Sequence, residues 1–221
     1  MPMLSKAVDA VLSDLVPAES SSTSRRVRAV GRLMALLGVV LFIALAIEGV
    51  TVVFIGQLIA LHVIIGMILI PVMAYKIVVA TYRFAMYYLG VPDFKRSGPP
   101  ELVLRLIAPL LVISTVVLMA SGVVLVMLHP GTPTANAWRF IHQASFVAWF
   151  GLMVIHVLAY LRRAFGTAAY DLRYTRYHSL IGRRGRLISV VLASTFGLLL
   201  AAVIYPYVAP WAHYFAVFHV R

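Results

Sequence analysis

Four residues able to bind metals or protons interrupt stretches that are otherwise apolar. His62 and Lys76 bracket "HVIIGMILIPVMAYK", and His142 and His156 lie in "RFIHQASFVAWFGLMVIHVLAY". A neutral imidazole ligates metals through one ring nitrogen while its other nitrogen donates a hydrogen bond, and it titrates near neutral pH. An amine ligates only when burial and the metal hold it neutral. Both pairs are spaced by fourteen residues. In a helix, fourteen residues bring a side chain round to within roughly 40° of its starting direction, about 21 Å further along. Each pair therefore lies on one helix face, with one member near each membrane surface.

The surrounding chain must be helical and within a bilayer. Of its 221 residues, 62% are hydrophobic and 12% charged, and the mean hydropathy is +0.97, well outside the range of soluble domains. Five apolar runs are long enough to span: Leu33 to Phe54, Leu58 to Ala80, Leu102 to Leu128, Trp138 to Leu161 and Leu187 to Val208. None alternates as a barrel strand would, and a span must satisfy its own backbone hydrogen bonds. The expected fold is all-α, an integral membrane bundle of five transmembrane helices with a haem-binding four-helix core. Residues 1–24 read as a cytoplasmic amphipathic segment and Ser-rich linker, 25–209 as the bundle, and 210–221 as an external aromatic tail whose rings suit the membrane interface.

Charge sets the expected orientation. Of the 19 Lys and Arg, 16 fall before the first span or in the second and fourth connections, all on one side. Only Arg139 and Arg221 fall opposite, and Lys76 lies within a span. The positive-inside rule then places the N-terminus in the cytoplasm and the C-terminus outside a multi-pass cytoplasmic-membrane protein. The net charge of +12 reflects this topology and contact with anionic lipid. No basic module interleaved with aromatics suggests nucleic acid. The absence of cysteine excludes iron–sulfur clusters, disulfides and c-type haem attachment within the chain.

Spans two and four run in the same direction, and His62 and His142 each follow an external connection by a few residues, so they lie at similar depth. Two neutral imidazoles facing one another across parallel helices suit the axial positions of a haem b. Gly66, one turn below His62, would let a porphyrin approach the backbone, and Gly122 and Ser145 are small neighbours that also suit helix packing. Arg139 and His129 could meet haem propionates or be ordinary loop residues. Two readings of the inner end stand: His156 ligates a second haem, with Lys76 or Met73 opposite, or Lys76 snorkels to the cytoplasmic head groups. Glu48, the only carboxylate in a span, could relay protons, hydrogen-bond a ligating histidine, or pack as a neutral acid against Gln57.

The segment with His142 and His156, together with "LHVIIG" around His62 and Gly66, resembles b-type cytochromes of the cytochrome b561 and cytochrome b/b6 kind. The resemblance covers spans one to four. It implies haem b held by His62 and His142, a second haem ligand at His156, and electron transfer between quinone, haem and a partner redox subunit. Span one lacks a histidine and Lys76 stands where another would be expected, a departure from that pattern. With no nucleotide-binding glycine motif or flavin signature, the chain reads as an electron-transfer subunit of an oxidoreductase rather than a complete enzyme. The competing expectation is a haem-free membrane anchor or a proton-coupled transporter-like bundle, in which Glu48, His62 and Lys76 carry protons.

Overall fold

The computed structural model describes residues 24–98, 102–172 and 182–218. The expected amphipathic segment before Ser24, His178 and His219 lie outside the described residues. The described chain is helical: α1 (Arg25–Val53), α2 (Ile55–Tyr88), α3 (Pro92–Arg96), α4 (Leu102–Met127), α5 (Pro133–Leu172), α6 (Arg183–Ile204), a 3-10 turn (Tyr205–Val208) and α7 (Ala209–Phe218). Five helical stretches are long and apolar enough to cross a membrane, within α1, α2, α4 and α5 and from Arg183 to Val217. The chain is a multi-pass membrane protein, and its many exposed Leu, Ile, Val and Phe side chains are suited to lipid contact.

The helices overrun the apolar segments, mainly at their basic ends. Backbone bonding within a helix does not require lipid, so α1 begins at Arg25, capped by the Ser24 hydroxyl, which accepts from the Val27 N–H at 3.3 Å. α5 has 40 residues, about 60 Å at 1.5 Å per residue, roughly twice the hydrocarbon thickness. The first connection is as short as expected. Phe54 separates α1 from α2, and a kink at Leu58 leaves Gly56 and Gln57 in the irregular first turn of α2.

Helices α1, α2, α4 and α5 form a ring in which each packs on the next, while α6 lies outside it along α2. Leu37, Leu41, Leu69 and Val72 fill the seam of α1, α2 and α6. Within a bilayer, helices associate through close packing rather than through escape from water. Gly197 shows how close that packing is, since a Cβ there would fall 2.6 Å from the Ile68 carbonyl oxygen. Gly197→Ala should therefore force α6 from α2 and cost about 1–3 kcal/mol of stability, visible as a lower melting temperature in detergent. An unchanged melting temperature would mean the helices part without penalty.

The C-terminal aromatics differ from expectation. Trp211 and Phe215 turn inward and are 7% and 8% exposed, packing with Ala135 and against Ile55, Ile59 and Leu128. The Trp211 indole N–H faces the Leu125 and Leu128 carbonyls at 3.0 and 3.1 Å. Carbonyls at the end of a helix have acceptor capacity to spare, and this indole uses it at the end of α4. α7 thus caps the ring.

Candidate functional site

A cavity of about 820 Å³ runs along the interior of the ring, from Trp211 and Phe215 past His62 and His142 to Lys76 and His156. Its size lies within the range of about 300–1,000 Å³ usual for small-molecule and cofactor sites. Its walls are mostly Leu, Ile, Val, Met and Phe. α5, which carries His142 and His156, is the least packed span, with 6% of its most apolar stretch buried against 22–28% in the others. Part of its surface borders this cavity.

His62 on α2 and His142 on α5 face one another with ring centres 6.3 Å apart and planes at 85°. A metal–imidazole bond is about 2 Å, and a ring nitrogen lies about 1 Å from its ring centre, so two imidazoles sharing one metal have centres about 6 Å apart. This spacing would let His62 and His142 hold one metal between them.

The hydrogen bonds select the tautomer each ring needs for this role. His142 Nδ1 lies 3.1 Å from the Leu118 carbonyl and 3.0 Å from Ser121 Oγ. A carbonyl only accepts, and the Ser121 hydroxyl donates to that same carbonyl at 3.0 Å, so Nδ1 carries the proton. On the other side, His62 Nδ1 lies 3.0 Å from Glu48 Oε1 and 3.0 Å from Thr51 Oγ1. The Thr51 hydroxyl donates to Glu48, with its backbone carbonyl at 2.6 Å and Oε2 at 3.1 Å, so Thr51 can only accept from His62. Both rings are held as Nδ1–H donors. Each Nε2 keeps its lone pair and has no hydrogen bond among the described residues. Fixing one nitrogen so that the other binds metal is how ligating histidines are oriented.

Small residues make the approach possible. A Cβ at Gly122 would lie 3.2 Å from His142 Cε1, and one at Gly66 would lie 3.5 Å from Glu48 Oε1. Gly66 and Arg139 both line the cavity, and Arg139 makes no hydrogen bond or ion pair among the described residues. Ser145 turns back to its own helix, donating to the His142 carbonyl at 2.9 Å. Gln57 is exposed, so Glu48 meets His62 and Thr51 rather than Gln57. His129 lines a separate pocket with His213.

No three His, Asp or Glu side chains converge as a metal site among the described residues. Glu48 meets His62 at Nδ1 and leaves Nε2 to a ligand. Two opposed imidazoles in a large apolar cavity suit a metal that arrives with its own equatorial ligands, as in a porphyrin.

The end of the cavity at Lys76 and His156 is built differently. His156 and Lys76 line the same cavity, but no second imidazole faces His156 among the described residues, and its ring neighbour is Tyr160 at 5.0 Å. The Lys76 amine lies against α1, where a Cβ on Gly38 would be 3.0 Å from Nζ. Midway between the two ends, Trp149 is 5% exposed and its indole donates to Thr115 Oγ1 at 3.0 Å. Thr115→Val would leave that donor unpaired, at a cost of about 1–3 kcal/mol. A thermal melt indistinguishable from wild type would show that the bond contributes nothing.

Sequence reasoning had not singled out Thr51, Ser121, the Leu118 carbonyl, Trp211 or Phe215. Helical spacing from Glu48 could have indicated Thr51, whereas Ser121 and Leu118 meet His142 only through the packing of α4 on α5. No family model matches the chain, and comparison with curated proteins and solved structures finds no significant match.

Proposed function

We propose that this chain is a membrane b-type cytochrome, an electron-transfer subunit that binds haem b between His62 and His142. The observation that carries the reading is the opposed pair of rings 6.3 Å apart, both with Nδ1 engaged and Nε2 free. Bound there, haem supplies one-electron transfer within the membrane. The chain's own residues set the conditions. Glu48, Thr51, Ser121 and the Leu118 carbonyl orient the imidazoles, Gly66 and Gly122 keep the approach open, and Trp211 with Phe215 shields the outer end from water. Arg139 is the available cation for a propionate.

The distribution of Lys and Arg supports a cytoplasmic N-terminus and an external C-terminus in the cell membrane. A partner redox subunit and a quinone as donor or acceptor follow from the resemblance to cytochrome b561 and cytochrome b/b6 proteins. The Glu48, Thr51 and His62 cluster would also suit a haem-free, proton-binding bundle, and colour separates the two readings. Protein purified after haem-supplemented expression should show a Soret band and split reduced-minus-oxidised peaks, with one haem per chain by pyridine haemochrome. Colourless protein would leave the haem-free bundle.

A further inference from the structure

Lys76 and His156 are two polar side chains at the inner end of an apolar cavity, and neither makes a hydrogen bond or ion pair among the described residues. An unpaired ammonium in such surroundings is costly. The one carboxylate within the spans, Glu48, is already engaged with His62 and Thr51. Nor does the amine escape from the bundle, since it lies against Gly38. A bound anion would meet both groups.

The walls specify the rest of that partner. Met73, Ile77, Val154 and Val157 line this end and offer no polar group to a ligand's body. Phe42, Val154 and Leu158 line it while remaining 37%, 40% and 73% exposed, which opens this end sideways, toward lipid rather than toward water. A small hydrated anion would lose its water here and meet mostly hydrocarbon. A single-charged head on an apolar chain satisfies both the cation and the walls, and a carboxylate has two oxygens for the two donors, the Lys76 ammonium and the His156 ring N–H.

We propose that the inner end of the cavity binds a lipophilic carboxylate of the long-chain fatty-acid type, its head on Lys76 and His156 and its chain along Met73, Ile77, Val154 and Val157. This site is separate from the His62–His142 pair and does not depend on what that pair holds.

Photolabelling tests it. The full chain in phosphatidylcholine nanodiscs is irradiated with a diazirine-bearing palmitic acid, and adducts are mapped by peptide mass spectrometry. Labelling is expected on residues 73–80 and 153–158, suppressed by excess oleate and not by methyl oleate. Lys76→Gln and Lys76→Met should each lose at least about tenfold of it, because a buried charge stripped of its partner is strongly disfavoured. The labelling is expected equally of colourless protein and of protein that carries haem, so failure of the haem reading leaves this result standing. Equal competition by the methyl ester, undiminished labelling in either Lys76 variant, or a second haem per chain would each overturn the proposal. The ester competition decides on wild-type protein alone, whatever the yield of the variants.

Discussion

His142→Ala protein, purified from haem-supplemented cells, is expected to lack the Soret band of the wild type, and His62→Ala is expected to do the same. Each substitution removes one of two opposed nitrogen donors and leaves an apolar cavity with a single imidazole. Partners standing behind a ligating histidine are typically worth about 10–100-fold in metal affinity, so loss of the ligand itself should exceed that. His156→Ala serves as the internal control and should retain the full haem content, because no second imidazole faces His156 among the described residues. Added imidazole should partly restore the pigment in His142→Ala by entering the space the side chain vacates. Pyridine haemochrome per mole of protein measures all three variants. Full pigment in both His62→Ala and His142→Ala would remove the axial pair as the haem site.

The imidazoles of His62 and His142 are supported unequally, and under the proposed haem reading this should appear in the redox potential. Glu48 presents Oε1 to His62 Nδ1 at 3.0 Å and Oε2 to the Thr51 hydroxyl at 3.1 Å, so both carboxylate oxygens act as acceptors. A carboxyl oxygen that accepts from Nδ1 makes the opposite nitrogen a stronger donor, and more so in the ionised form of the acid, which would favour oxidised iron held there. Glu48→Gln keeps the shape and the hydrogen bond but cannot ionise. Its midpoint potential should rise, by about 59 mV for each tenfold change in a one-electron equilibrium. Ser121→Ala should change far less, since His142 Nδ1 keeps the Leu118 carbonyl at 3.1 Å. Redox titration of both variants in detergent is the measurement. A potential unchanged in Glu48→Gln, or moved further by Ser121→Ala, would show that Glu48 does not tune the site.

Much of the fold could be read along the chain because each span is a local pattern. A run of about 20 apolar residues must become a helix in a bilayer, whatever its neighbours do, and all five runs did so. His62 and His142 were recognisable as a pair by the same logic, since connection length and helical rise alone place them at one depth. Gly122 could be noted as small, but its closeness to the His142 ring depends on how α4 meets α5. Lys76 shows where the pattern stops being informative. Its position near the end of a span is equally consistent with reaching the head groups or turning inward, and only the placement of α1, with Gly38 opposite the amine, decides for the interior.

By itself the sequence determined that this is a five-span helical membrane protein with imidazoles at matched depths, because bilayer thickness and helix periodicity act on short contiguous segments. The tertiary structure alone decided which helices neighbour one another, that Trp211 and Phe215 close the outer end, and that Glu48 and Leu118 hold the Nδ1 atoms of facing rings. Those relations join residues 14 to more than 80 positions apart. They arise from how side chains interlock between helices, for which no short stretch of sequence carries a signal.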